Sequence, residues 1–248
     1  MYIRPKGLKY TRFLRRLHRR HIFDWYLEVG CRTGTTIAPS RSKTIAVDPF
    51  FKIETNVIGQ KPALHVIQDT SDAFFGTGFL GAIQARLSFS FLDGMHLFEY
   101  LLRDFMNAEA ASRREGVIAL HDCCPSSLGM TTRNLDNIPK GEWTGDVWKL
   151  IPILQEFRPD LTIKVLDCAP TGLVLVSGLD PENLALKQNY DAIVERYRDL
   201  SIEEYGLGNF YDRMSFVDAQ DYCDDGFPDF APLALPEETM VIPTRITP

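Results

Sequence analysis

Between Lys9 and His21 the apolar positions Tyr10, Phe13, Leu14 and Leu17 recur at intervals of three and four, the spacing of one helix face. Arg12, Arg15, Arg16, Arg19 and Arg20 surround that stripe. Such a basic amphipathic helix allows two readings. It packs on a domain with its basic face in water, or residues 9–21 make peripheral contact with an anionic membrane. Short apolar runs then alternate with helical periodicity. Strands are predicted over 24–29, 43–47, 63–67, 87–92 and 116–120. A helix is predicted over 96–112, with Leu97, Leu101, Phe105 and Ala108 on one face and a Glu99/Arg103 pair one turn apart. Val147, Leu150, Ile151, Leu154 and Phe157 mark another helix, for which Asp146 or Thr144 is the expected N-cap. Runs over 161–166 and 173–176 flank a turn-rich segment, 167–172, as in a hairpin. Strand–helix alternation predicts an α/β fold, a mostly parallel sheet with helices on both faces, closed by an antiparallel edge hairpin.

These patterns divide the chain into a basic N-terminal helix (1–22), an α/β domain (23–180), a helical extension (181–223) and a proline-rich irregular tail (224–248). With 248 residues, 45% of them hydrophobic, the chain is long enough for one sizeable core. Five scattered cysteines, Cys31, Cys123, Cys124, Cys168 and Cys223, form no disulfide framework and predict a reducing, cytoplasmic setting. No secretory or membrane-spanning pattern is evident. Charge sharpens the picture. The first 20 residues hold eight Lys/Arg and no acid, which leaves 19 bases against 33 acids in the rest. So acidic a body argues against broad nucleic-acid binding.

Open α/β sheets bind ligands beyond the carboxyl ends of their strands. Those ends are predicted to carry Glu28-Val-Gly-Cys-Arg-Thr-Gly34, Asp48, Gln68-Asp-Thr-Ser71, Asp93-Gly-Met-His96 and His121-Asp122. Gly30 and Gly34 let the backbone of the first loop approach a ligand closely. Their spacing is not the Gly-x-Gly-x-x-Gly of dinucleotide binders, which counts against a nicotinamide-dependent oxidoreductase. Glu28 would repel a pyrophosphate but suits a cationic amino-acid ligand. Asp48, at the end of the second strand, can accept hydrogen bonds from both hydroxyls of a ribose.

The first loop, and Ile45-Ala-Val-Asp48-Pro49 after it, resemble the first two motifs of the class I S-adenosylmethionine-dependent methyltransferases. Phe91-Leu-Asp-Gly-Met-His96, Ile118-Ala-Leu-His-Asp122 and Gly145-Asp-Val-Trp-Lys149 resemble the small-molecule subgroup related to catechol and macrolide-sugar O-methyltransferases. The resemblance spans about residues 24–178. It implies a Rossmann-like methyltransferase fold with a seven-stranded sheet, and S-adenosylmethionine as cofactor. By that resemblance Gly30, Cys31, Arg32, Thr33 and Gly34 line the methionine part of the cofactor, with Glu28 beneath. Asp48 holds the ribose, Asp69, Thr70 and Ser71 border the adenine, and Asp93 lies under the transferred methyl. The metal-dependent relatives hold a divalent ion with the acid at Asp93 and an acidic or amide pair at the end of the fifth strand. Here Asp122 is followed by Cys123, a departure that counts against a Mg²⁺ site, because Mg²⁺ prefers oxygen ligands. His96 stands where a catechol-type enzyme has its lysine base.

A histidine titrating near neutrality can take the proton of a hydroxyl acceptor, so His96 is the first candidate general base and His121 the second. The expected reaction is methylation of a small acceptor, a glycosyl or other natural-product hydroxyl. Plainer roles stand beside these. Asp93 could cap the helix that follows it, His96 and His121 could be structural, Asp122 could be a turn residue, and Trp143 and Trp148 belong to core or pocket wall. Two other functions stay open. One is a metal-dependent enzyme of another type, built on Asp93, His96, His121 and Asp122, with Cys123 and Cys124 as soft ligands. The other is a non-catalytic module that binds the cofactor and docks through its basic helix.

Overall fold

The apolar runs become strands because their branched and aromatic side chains are buried on both faces of one sheet. The structure, a computed structural model, describes residues 1–237. Eight strands form the sheet: β1 (Trp25–Val29), β2 (Lys43–Val47), β3 (Leu64–Ile67), β4 (Leu87–Leu92), β5 (Ser112–His121), β6 (Thr162–Leu166), β7 (Leu173–Ser177) and β8 (Phe216–Val217). Their order is β3-β2-β1-β4-β5-β7-β6-β8. Only the pairings of β7, with β5 and with β6, are antiparallel. The hairpin β6–β7 therefore sits at one end of an otherwise parallel sheet, as the pattern predicts. The added strand β8, parallel to β6, raises the count from the expected seven to eight.

Ten α-helices among the described residues surround the sheet: α1 (Tyr10–Arg20), α2 (Ser71–Gly76), α3 (Phe79–Ala82), α4 (Phe98–Ala111), α5 (Leu150–Phe157), α6 (Ala185–Gln188), α7 (Tyr190–Tyr197), α8 (Ile202–Tyr205), α9 (Leu207–Tyr211) and α10 (Ala219–Asp224). The period-two alternation of the strands feeds two cores. Leu27, Val29, Ile118, Leu120, Val174 and Val176 pack under α4, α5 and α7. Tyr26, Phe89, Phe91, Ala119, Leu173 and Leu175 pack under α1 and α10. Phe13, Leu14 and Leu17 of α1 are wholly buried in that second core, so the apolar stripe faces the sheet and the basic face is left to water. All five cysteines are free and buried. Among the described residues no helix is long and apolar enough to cross a membrane. Of the proline-rich tail, residues 238–248 lie outside the described residues. The part before them lies on the domain, with Phe230 buried and the Leu235 N–H donating to the Ile22 carbonyl at 2.7 Å.

Asp146 stands at the N-cap position of the 3₁₀ turn Val147–Lys149 that leads into α5, as expected, but neither its side chain nor that of Thr144 makes a capping hydrogen bond there. Thr144 donates to the carbonyls of Met130 and Gly145. Asp146 instead accepts from the backbone N–H of Phe98 at 2.9 Å, so it caps α4 across 48 residues of sequence. That also removes the reading of Asp93 as the cap of α4, whose N-cap residue is Leu97.

Candidate active site

The chain runs outward from β1 through β2 to β3, then returns to β4 and β5 on the other side of β1. The crevice where the order reverses lies beyond β1 and β4. Gly30 leaves β1 with φ +90, and a Cβ there would meet the Asp93 carbonyl oxygen at 1.9 Å. Only glycine lets the ends of these two strands touch. The loop then holds Asp48 from both sides. The Arg32 N–H donates to its Oδ2 at 2.8 Å and the Phe50 N–H to its Oδ1 at 2.7 Å. Glu28 lies wholly buried below, accepting hydrogen bonds from Tyr26 and Thr36. Burial pushes its pKa up to about 8 although those hydrogen bonds work the other way.

Beyond β4 and β5 four titratable side chains meet. A carbonyl can only accept, so the 2.7 Å contact between His96 Nδ1 and the Trp143 oxygen fixes the proton on Nδ1. Nε2 then faces Asp93 Oδ1 at 3.5 Å and Asp122 Oδ2 at 3.4 Å. His121 Nδ1 lies 3.1 Å from Asp93 Oδ1, and the Thr171 hydroxyl donates to Asp122. Burial alone would lower the His96 pKa, but its hydrogen bond to Asp93 and the charges of Asp122 and Asp93 outweigh burial and raise it. The same contest pushes His121 up to about 10. Asp93, which burial would raise, is held below the usual carboxylate range by the two imidazoles. Asp122 sits at φ +60, a conformation rare for a residue with a side chain and concentrated at functional sites. Asp93, His96 and Asp122 each offer a ligand atom, all within 4.8 Å of one another, the one group of three or more potential ligands of this kind among the described residues.

One cavity of about 870 Å³ joins the glycine loop to this cluster. Gly30, Cys31, Arg32, Thr33, Asp48, Thr70, Ser71, Asp93, His96, His121 and Asp122 line it, as the strand-end reading expects. Glu28 lies beneath the loop, where the resemblance puts it, and two expected residues do not line the cavity: Gly34 packs against Val57, and Asp69 is exposed and accepts from the Thr70 N–H at 2.7 Å. At the end of β5 the pair facing the cavity is His121 and Asp122, not Asp122 and Cys123. Cys123 and Cys124 are in the apolar core, which removes them as soft-metal ligands. Trp143 lines the cavity and Trp148 is core. Sequence reasoning missed Tyr10 and Thr11 of α1, together with Phe50, Asp72 and Tyr100. The Tyr10 ring lies 3.9 Å from that of His121. The amphipathic stripe marked Tyr10 as buried, but only the docking of α1 shows that it is buried over a site.

No protein-family model matches the chain, and no curated protein matches it. Among solved structures it is similar to the methyltransferase MycE of the mycinamycin biosynthetic pathway, in complex with Mg, SAH and mycinamycin VI. The identity is 14% over 70% of this chain and 49% of that one, with a TM-score of 0.46. The chain thus spans about half the length of that enzyme. It is similar to the O-methyltransferase from Bacillus cereus in complex with SAH, at 13% identity over 67% and 79% of the two chains and a TM-score of 0.47. It is also similar to the O-methyltransferase TomG from Streptomyces achromogenes, in complex with SAM, at 13% identity over 68% and 78% and a TM-score of 0.44. Likenesses this distant assign no chemistry; the cavity has to do that.

Proposed function

We propose that this protein transfers the methyl group of S-adenosylmethionine to a hydroxyl of a small acceptor. The observation that carries the reading is the single cavity lined by Asp48 and the Gly30 loop together with His96. Its chemistry fits a cationic ligand. Asp48, Asp72, Asp93 and Asp122 line it, and Arg32 is the only arginine or lysine among its described lining residues. Phe50, Tyr100, Tyr10 and Trp143 add aromatic faces that attract cations. The cofactor, when bound, supplies an electrophilic methyl on a sulfonium.

The chain's own residues supply the rest. Asp48, pinned by two backbone N–H groups, keeps free lone pairs for ribose hydroxyls. His96 Nε2 accepts the acceptor's proton, its ring held by the Trp143 carbonyl, and the Asp93 and Asp122 carboxylates stabilise the imidazolium formed. Positioning in the cavity supplies the larger share of the rate, roughly 7–11 kcal/mol in well-oriented systems. Asp93 and Asp122 also suit a Mg²⁺ ion, which takes one or two carboxylates and keeps its remaining waters. Held there, it would lower the pKa of the acceptor hydroxyl and leave His96 as the base. The second reading, a metal enzyme of another type, is favoured by one observation. His96 donates its Nδ1 proton to a carbonyl as metal-ligating histidines do, leaving Nε2 free beside two carboxylates.

The test is turnover of labelled S-adenosylmethionine with hydroxylated acceptors by the protein and its His96→Ala variant. Loss of the base should cut turnover roughly 10²–10⁴-fold while cofactor affinity stays within about two-fold. Because the raised His96 pKa means that the free base must be generated, wild-type turnover should climb with pH through a value above that of ordinary imidazole. Unchanged turnover in the variant would remove His96 from the mechanism.

A further inference from the structure

Thr11 of α1 is on the wall of the methyl-transfer cavity. Arg15 and Arg19 follow it by four and eight residues, so all three lie along one face of the helix, about 6 and 12 Å apart from Thr11 along its axis. Arg15 and Arg19 line a second, open groove of about 410 Å³ together with Ser40, Arg41 and Thr55. Thr35 lines both the groove and the cavity, which makes the two spaces neighbours. Of the neighbouring arginines, Arg41 of the groove and Arg16, between the two on the helix, are already engaged, and the exposed Arg12 and Arg20 line neither the groove nor the cavity. Arg16 pairs with Asp224 at 2.6 Å, and Arg41 pairs with Glu237 at 2.9 Å and donates to the Arg19 carbonyl. The exposed Arg15 and Arg19 guanidinium groups have no hydrogen-bond or ion-pair partner among the described residues. Two unengaged arginines therefore stand beside the cavity of a chain whose remaining 228 residues carry a large excess of acid.

We infer that the methyl acceptor carries a phosphate or pyrophosphate ester, seated on Arg15 and Arg19 while its hydroxyl reaches His96. This rests on the methyl-transfer reading of the cavity. Guanidinium forks match phosphate oxygens in pairs, and such charge-assisted hydrogen bonds are the stronger kind. The axial rise from Thr11 to Arg15 and Arg19, about 6–12 Å, separates the anion from the cavity wall, and the acceptor has to span it and continue into the cavity to His96. A sugar joined to a nucleoside diphosphate is an acceptor of that extended kind. A long polyanion does not suit the site, because the 228 residues after Arg20 carry 19 bases against 33 acids and so repel phosphate on balance.

The test is calorimetric titration of the full chain with inorganic pyrophosphate and, separately, with S-adenosylhomocysteine, in the wild type and in R15Q/R19Q, with sedimentation against phosphatidylglycerol vesicles alongside. The inference predicts pyrophosphate binding that the double variant weakens at least about ten-fold. It predicts S-adenosylhomocysteine affinity unchanged within about two-fold in the variant, and no sedimentation of the protein with vesicles. Absence of pyrophosphate binding, or equal binding by wild type and variant, would overturn it. So would arginine-dependent sedimentation with vesicles in the absence of pyrophosphate binding, which would make the patch a lipid-headgroup site. Arginine-dependent pyrophosphate binding without S-adenosylhomocysteine binding would leave an anion groove but overturn the acceptor assignment through the failure of the methyl-transfer reading.

Discussion

His18 is sealed against Tyr26, Phe23 and Phe89, and neither of its ring nitrogens has a hydrogen-bond partner. Burial, aided by the charge of Lys61, pulls its pKa down to about 3. The folded state therefore keeps this imidazole neutral, while the unfolded chain protonates it near 6.5. Below that pH the unfolded state binds the extra proton, so stability falls as pH drops from about 6.5 towards 3. His18→Leu should flatten that limb by something on the order of 3 kcal/mol, read as urea midpoints across the range; a variant with the wild-type slope would contradict the assignment. The strand-end residues Asp48, Asp93, His96, His121 and Asp122 were legible in the sequence, because each follows an apolar run whose end fixes its place. Phe50 and Tyr100 were not, since an exposed aromatic in a loop or on a helix carries no mark of the cavity it faces.

The start of α4 is the element on which the site depends. The Asp146 N–H donates to the His96 carbonyl at 3.2 Å, Asp146 Oδ1 caps Phe98, and its Oδ2 takes Arg133 and Lys149. Gly145, at φ +52, lies so close that a Cβ would meet the His96 carbonyl oxygen at 1.6 Å. The segment from Trp143 to Asp146 thus holds both the ring and the backbone of His96. Asp146→Ala should cost roughly 3–5 kcal/mol of stability, because it uncaps α4 and leaves the buried Lys149 charge without its carboxylate. Chemical denaturation measures it, and a loss under about 1 kcal/mol would mean that the network is dispensable. Periodicity located α4 and the helix after it. It could not assign the cap, because a capping carboxylate is judged locally in sequence, whereas this one reaches a helix 48 residues away.

Across the whole molecule the alternation of strands and helices was enough to predict a mostly parallel sheet closed by a hairpin, and the bounds of β1, β2 and β4 lie within one residue of the predicted runs. The two-residue β8 left no apolar run to find, and it pairs only because the C-terminal segment wraps back onto β6. Nor could the sequence show that α1, read as a helix packed on the domain or resting on a membrane, would give Tyr10 and Thr11 to the cavity. That contact depends on the second core, in which Phe13, Leu14 and Leu17 are buried and against which Tyr10 packs. The same docking brings the ends of β1, β2, β4 and β5 and the N-terminal helix around one space of about 870 Å³. On the proposed function, this space binds the cofactor of methyl transfer. Calorimetric titration of the purified full chain with S-adenosylhomocysteine, in EDTA and again with Mg²⁺, tests it most directly. One-site binding is expected, weakened about ten-fold or more by Asp48→Ala, since hydrogen bonds to a charged group contribute roughly 1.5–3 kcal/mol. No binding in either buffer, or binding indifferent to Asp48, would contradict it.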